Sequence, residues 1–257
     1  AFSNAGGGDF VQPMVDDNIG GLLLGGVEIA GPRLYFDGAG LSVLDGTPTT
    51  EITNIIPGPF NNMGVGGAKS YHLLAPGYGN VAGVPVGQAN PYFARMASSP
   101  NATVLEDAVS QNGTFFTISV MGGNDVLGYA TSGGSGIDQT GNFDPATYGN
   151  NDITDPNVFA QAATTIVTSL VANGAKGVLS NVPYVTDLPY FTTVPYNAVP
   201  LDAATAAQLN AAFAQYNGGL QTAETVGFIT AEERIARTIS FSAGQNAVTL
   251  IDEDLTN

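Results

Sequence analysis

The chain has 257 residues, 44% of them hydrophobic, enough to bury a sizeable core in one large α/β domain. Its 22 acidic residues against six basic ones (Arg33, Lys69, Arg95, Lys176, Arg234, Arg237) give a formal charge of −16. With no basic run, this disfavours nucleic acid and anionic headgroups as partners. The absence of cysteine removes disulfides, thiolate metal sites and cysteine nucleophiles, and no apolar run approaches the roughly 20 residues that span a bilayer, so a soluble segment is expected.

Residues 1–100 are rich in Gly, Pro and Asn. The stretches NAGGGDF, DDNIGG, DGAG, DGTPTT and PGPFNN each read as a turn between short apolar segments. The interleaved Leu, Ile, Phe and Tyr predict ordered loops packed on a core. Leu22, Leu23, Leu24, Phe36, Tyr78, Tyr92 and Phe93 are candidates for that packing or for an acyl pocket or lid. GVGGAKSYHLL, residues 64–74, ends in a short helical pattern with Ala68, Tyr71, His72 and Leu74 on one face, directly after Gly66 and Gly67.

From residue 103 the pattern becomes regular. TVLEDAVSQNG predicts a helix ended by Asn112-Gly113, and TFFTISVM predicts a fully buried strand. That strand stops on Gly122-Gly123-Asn124-Asp125. The same grammar returns in residues 154–185. Asp155 is the expected N-cap, with Pro156 at the first helical position. Val158, Phe159, Ala162, Ile166, Val167 and Leu170 form an apolar face, Asn173-Gly174 ends the helix, and Lys176 to Val182 is the next strand. LDAATAAQLNAAFAQYNGGLQTAE predicts a third helix and NAVTLID a last strand. Alternating helices and strands with short connections predict an α/β fold with a parallel sheet covered by helices. The expected organisation is a single domain over 1–257, loop-rich in 1–100 and regular in 101–257. Such sheets bind ligands beyond the carboxyl ends of their strands, where Gly122 to Asp125 lie.

Two fragments, GVGGAKS at 64–70 and GGND at 122–125, resemble the second and third sequence blocks of the SGNH, or GDSL-type, serine hydrolases. NGAKGVLSNVPYVTDLPYF and LNAAFAQYNGGL are similar to later regions of that family. GVGGAKSYHLLAPGYGN, NDVLGYATSGG and VPLDAATA resemble a subgroup regarded as outer-membrane lipoproteins of Gram-negative cells, with lipase or esterase activity. The resemblance implies a three-layer α/β/α, flavodoxin-like fold, of which this chain is an incomplete segment. It implies a substrate that is an ester of a lipid or an acylated glycan, a Ser nucleophile activated by His, and an acyl-enzyme intermediate. No metal or organic cofactor is implied. Gly67, with Gly66 as its rival, and Asn124 are the implied oxyanion donors. The chemistry suits those residue types: a Gly lets its backbone N–H approach a substrate without a Cβ in the way. The Asn amide adds a second neutral donor, and both stabilise charge that develops on the carbonyl oxygen. Gly122, Gly123 and Asp125 belong to the same binding turn, with Asp125 expected as a cap or an orienter. His72, the chain's one His, is expected as a pocket-wall or structural residue, because the family's base comes from another loop. The implied location is the cell envelope, at the outer membrane or attached to an outer-membrane protein.

The nucleophile block and the Asp-x-x-His block are missing. GGGDFVQP has Phe10 where a Ser would follow Gly-Asp. Nucleophile and base are therefore expected outside this segment, which starts without Met and ends in AVTLIDEDLTN, read as a strand whose onward connection is missing. The alternative is a catalytically inactive SGNH-fold binding or accessory subunit at the outer membrane. For Asn124 and Asp125 the competing expectation is that they cap a helix starting at DVLGYA. The loop GIDQTGNFDPATYGNNDITD, residues 136–155, offers oxygen ligands that suit calcium, but it lacks the EF-hand spacing, and Asx residues also make turns and caps.

Overall fold

A computed structural model of the chain describes residues 9–133 and 135–249. They fall into two compact units, one reaching Pro183 and the other starting at Tyr184. The glycines of NAGGGDF and the last residues of the expected C-terminal strand, from Leu250 on, lie outside the described residues.

The first unit opens with two hairpins. Strand β1 (Leu22–Leu24) pairs antiparallel with β2 (Val27–Ala30), and β3 (Leu34–Phe36) with β4 (Leu41–Val43). Short polar caps organise the helices that come next. Helix α1 (Pro91–Met96) starts on the Asn90 side chain, and α2 (Val104–Ser110) on a reciprocal Thr103/Glu106 capping box. Between the hairpins and α2 the chain builds its main hydrophobic cluster: Phe60, Tyr78, Phe93, Met96, Ala97 and Val104 are buried, with Met63, Val65, Ala68 and Leu73 packed against them. The Gly- and Asn-rich loops are thus ordered and carry a core. Leu22, Tyr78 and Phe93 are buried in packing, whereas Phe36 is 70% and Tyr92 45% exposed.

Strand β5 (Phe115–Ile118) lies parallel to β6 (Lys176–Leu179), with Phe115 opposite Lys176 and Ile118 opposite Leu179. Helices α3 (Gly123–Thr131) and α4 (Pro156–Val171) form the crossover. Helix α4 starts where the sequence predicts: the Asp155 carboxylate accepts from the Asn157 and Val158 amides, Pro156 occupies the first turn, and Val158, Ala162 and Ile166 are buried. It packs against α2 and the 3-10 turn Ser70–Leu74.

The β5–β6 pair corrects the sequence reading in two ways. Both strands are four residues long, short of the predicted Thr114–Met121 and Lys176–Val182, because Val120 takes φ 52° and its amide turns to Ser180 Oγ at 2.7 Å, which ends the ladder. The pair is also not buried: Phe115 is 58%, Val178 59% and Leu179 48% exposed. An apolar run states what must be covered to be stable, and among the described residues no third strand flanks this pair. The architecture is therefore mixed α and β with four two-stranded sheets, one parallel and three antiparallel, among the described residues.

In the second unit, α5 (Pro189–Thr192), β7 (Val199–Leu201), α6 (Ala203–Ala212), α7 (Ala214–Thr225), α8 (Ala231–Arg237) and β8 (Gly244–Asn246) follow in order. The single helix predicted over 201–224 is two helices, because Phe213 leaves helical geometry (φ −90°, ψ 1°) and packs its ring on Phe241 and Tyr216. The expected last strand is shifted to Gly244–Asn246 and runs antiparallel to β7. The Asn246 side chain bonds back to Ser242 and Gly244, closing a turn where the predicted strand would have begun.

Candidate functional site

Residues 65–68 form a tight turn closed by Ala68 N–H to Val65 O at 3.3 Å, with Gly67 at φ 78°. Its third position demands a positive φ, which only Gly adopts without strain. Among the described residues nothing lies within 4 Å of where a Gly67 Cβ would stand, so this side of the turn is open. Gly66 and Gly67 are exposed, and neither amide donates to a described residue.

The strand end reaches this turn from the other side. After β5 the backbone passes through two left-handed residues, Val120 (φ 52°) and Gly122 (φ 92°), before α3 begins at Gly123. A β-branched residue with positive φ is uncommon and costs energy, so the surrounding structure holds it there. Gly122 is required by packing as well as by φ, since a Cβ would stand 2.8 Å from the Phe159 ring and 3.0 Å from Val182. A Cβ on Gly123 would stand 2.8 Å from Val120 Cγ1. The space these two glycines leave is thus filled by Phe159, Val182 and Val120.

Asn124 and Asp125 sit in the first turn of α3, but the start of that helix has no side-chain cap. Instead both side chains cross to the other fragment. Asn124 Nδ2 donates to Ala68 O at 2.8 Å. The Asp125 carboxylate takes both donors of Ser70, its N–H at 2.9 Å and its Oγ–H at 2.8 Å, and both residues are 2% exposed. The two fragments paired in the sequence, 55 or more residues apart, are therefore joined by three hydrogen bonds. Asp125 is the orienter of the pair rather than a helix cap. The Asn124 amide has two N–H groups, and the bond to Ala68 fixes the direction of the second. Beside the turn a cavity of about 210 Å³ is walled in part by Gly64, Gly66, Tyr92, Arg95 and Met96.

Lys69, Ser70 and Asp152 were not evident as site residues from the sequence. Lys69 is 4% exposed and its Nζ donates to Asp152 O at 2.7 Å and Gly149 O at 3.2 Å. Burial holds its pKa below the usual lysine value, with the Asp125 and Asp152 charges opposing that shift. Burial pushes the Asp152 carboxyl up, but hydrogen bonds from the Ile137 and Gly149 amides and from Gln139, with the Lys69 charge, bring it below the ordinary range. The one available sequence signal was the lone Lys soon after Gly66-Gly67 in a chain with six basic residues.

His72 faces inward on the same turn. Its Nδ1 accepts the Lys69 N–H at 3.1 Å, and its ring stacks on Tyr78 with centroids 4.7 Å apart and planes 12° from parallel. Burial, reinforced by the Lys69 charge and opposed by Asp125, lowers its pKa to about 4, so it is a neutral structural residue at pH 7. With Nδ1 accepting, the imidazole proton sits on Nε2. Among the described residues no group of three His, Asp or Glu side chains is placed to hold a metal, and no helix is long and apolar enough to cross a membrane. Comparison with protein-family models, curated proteins and solved structures finds no match for this chain, so its functional reading stands on its residues and their geometry.

Proposed function

We propose that the chain carries the oxyanion-binding part of a serine ester hydrolase of the SGNH type, acting on an ester of a lipid or an acylated glycan. The observation that carries this reading is the set of three hydrogen bonds that lock Asn124 and Asp125 onto Ala68 and Ser70. That lock sets a fixed Asn124 N–H beside a glycine turn with open amides. Donors held in place before reaction stabilise the charge on a carbonyl oxygen under attack without reorganising. The nucleophilic Ser and the base His come from outside residues 1–257. The cavity beside Gly66 and Tyr92 is the place for an acyl chain. No metal or organic cofactor takes part in this chemistry.

In the same proposal β5 and β6 belong to a larger parallel sheet of a three-layer α/β/α single domain, and further strands cover Phe115, Val178 and Leu179. Attachment to the outer membrane, or to an outer-membrane protein, is part of the proposal through the resemblance alone.

The test is kinetic. Native protein should hydrolyse short p-nitrophenyl esters, and Asn124→Ala should lower kcat by roughly a hundred- to a thousandfold, the usual effect of removing one oxyanion donor. An Asn124→Ala variant that turns over ester at the wild-type rate would remove the assignment.

A further inference from the structure

Lys69 contributes no group to the reacting atoms of the proposed ester chemistry, yet its side chain is among the most buried polar groups of the unit. A buried ammonium is costly unless its surroundings replace water. Here they do: two backbone carbonyls, of Gly149 and Asp152, accept from Nζ, and the Asp125 and Asp152 carboxylates supply opposite charge. Carbonyl and carboxylate oxygens from an Asx-rich loop are what a cation site offers. The loop is then held from two more directions. Thr154 N–H donates to Asp125 O at 3.1 Å, and Gly128 of α3 lets the loop approach so closely that a Cβ there would stand 2.8 Å from Asn150 O.

We propose that the Lys69 ammonium is the resident cation of the loop 136–155 and a positioning residue for the oxyanion site. The inference rests on the hydrolase reading for its catalytic consequence, but not for its geometry. Lys69 acts through its two chain neighbours. Ala68 O holds Asn124 and Ser70 holds Asp125, so the segment that aims the Asn124 amide is anchored at its centre by the Lys69 side chain. Without the ammonium, the carbonyls of Gly149 and Asp152 lose their donor, and the Asp125 and Asp152 carboxylates lose the charge that opposes theirs. The loop then moves away and the turn loosens.

The experiment compares Lys69→Met, which keeps the chain's bulk without its charge, with Lys69→Arg, which keeps the charge. Two signals are read in the native protein: kcat and KM on p-nitrophenyl butyrate, and the Asn124 side-chain amide resonances, assigned by their loss in Asn124→Ala. Lys69→Met is expected to lower kcat by up to about 100-fold, the cost that a misplacement of about 1 Å caused away from the reacting atoms can carry. KM should stay within about twofold, because the lost interaction serves the transition state. The Asn124 signals should shift in Lys69→Met, and Lys69→Arg should restore both signals most of the way. Added calcium should leave the wild-type Asn124 signals in place. Wild-type kcat and unmoved Asn124 signals in Lys69→Met would overturn the proposal, and so would a calcium-induced shift in the wild type. If Lys69→Met does not fold, Lys69→Ala grown and measured in propylammonium chloride takes its place. Recovery of the Asn124 signals relative to equal sodium chloride supports the proposal, and no recovery overturns it. Should the wild type hydrolyse no ester while the Asn124 signals still follow the Lys69 series, the hydrolase reading falls and the positioning role stands.

Discussion

Two parts of the first unit contrast sharply. Residues 56–104 are turns, 3-10 turns and short helices full of turn residues, yet they bury Phe60 and Tyr78 from the loops and Phe93, Met96 and Val104 from α1 and the start of α2. Strands β5 and β6 are regular and apolar, yet Phe115, Val178 and Leu179 stand largely exposed. The difference shows that burial follows from what surrounds a segment, not from its regularity. In the loops, short polar side chains satisfy the backbone and let apolar ones face inward: Asn90 caps α1, Thr103 and Glu106 cap α2, and Asp107 takes both donors of Ser98. The β5–β6 pair has its ladder but, among the described residues, no third strand beside it.

The contrast breaks first at Phe93, which is fully buried and packs so tightly that a Cβ on Gly79 would stand 3.0 Å from its ring. Phe93→Ala should cost about 3–5 kcal/mol in denaturant unfolding, the range for an aromatic removed from a core. A loss below about 1 kcal/mol would mean that the loop cluster is not a core. Next comes Asp125→Ala, which leaves the buried Ser70 N–H without its acceptor and should cost roughly 2–3 kcal/mol, read in the same way.

A smaller effect is expected with pH. The folded His72 pKa, about 4, lies below its unfolded value of 6.5, so the unfolded chain binds the proton first. Stability from this group is complete above pH 6.5 and is lost as pH falls toward about 4. After allowance for the partial exposure of the ring, the loss should be on the order of 2 kcal/mol. His72→Gln should flatten the pH dependence across that window. An unchanged slope would show that His72 titrates normally.

The smallest effect is the mirror of the first. In a chain of residues 1–257, Phe115→Ala should change stability by less than about 0.5 kcal/mol, as exposed substitutions do. The same change in the native protein should cost far more if further strands cover β5. Equal small losses in both would leave the pair uncovered in both and remove the three-layer proposal.

The pairing of the two fragments was legible because Asn124 and Asp125 carry it in their side chains, while Gly67 is marked by the side chain it lacks. Asn124 and Asp125 after an apolar strand, and Gly67 before a polar helical start, are read from letters, and the structure joins those fragments. Asp155 and Pro156 likewise announce the start of α4. The part played by Lys69 was not legible, because its acceptors are the backbone carbonyls of Gly149 and Asp152, and a backbone carbonyl has no letter of its own. The expectation of a buried β5 failed for a different reason. Periodicity and apolar content describe a strand's preference, and cover depends on neighbours that a local pattern does not contain. The break at Phe213 was hidden similarly, since an Ala-rich run favours helix throughout and only a packing contact with Phe241 reveals the interruption.

The most direct measurement is the intact mass of the native protein before and after a fluorophosphonate probe, made on the wild type and on Asn124→Ala. The account predicts one phosphonyl adduct on a Ser outside residues 1–257, formed much more slowly in Asn124→Ala because the oxyanion donor also serves that reaction. No adduct on the wild type, or equal rates in both proteins, would contradict the assignment of Asn124 and Gly67 to an oxyanion site.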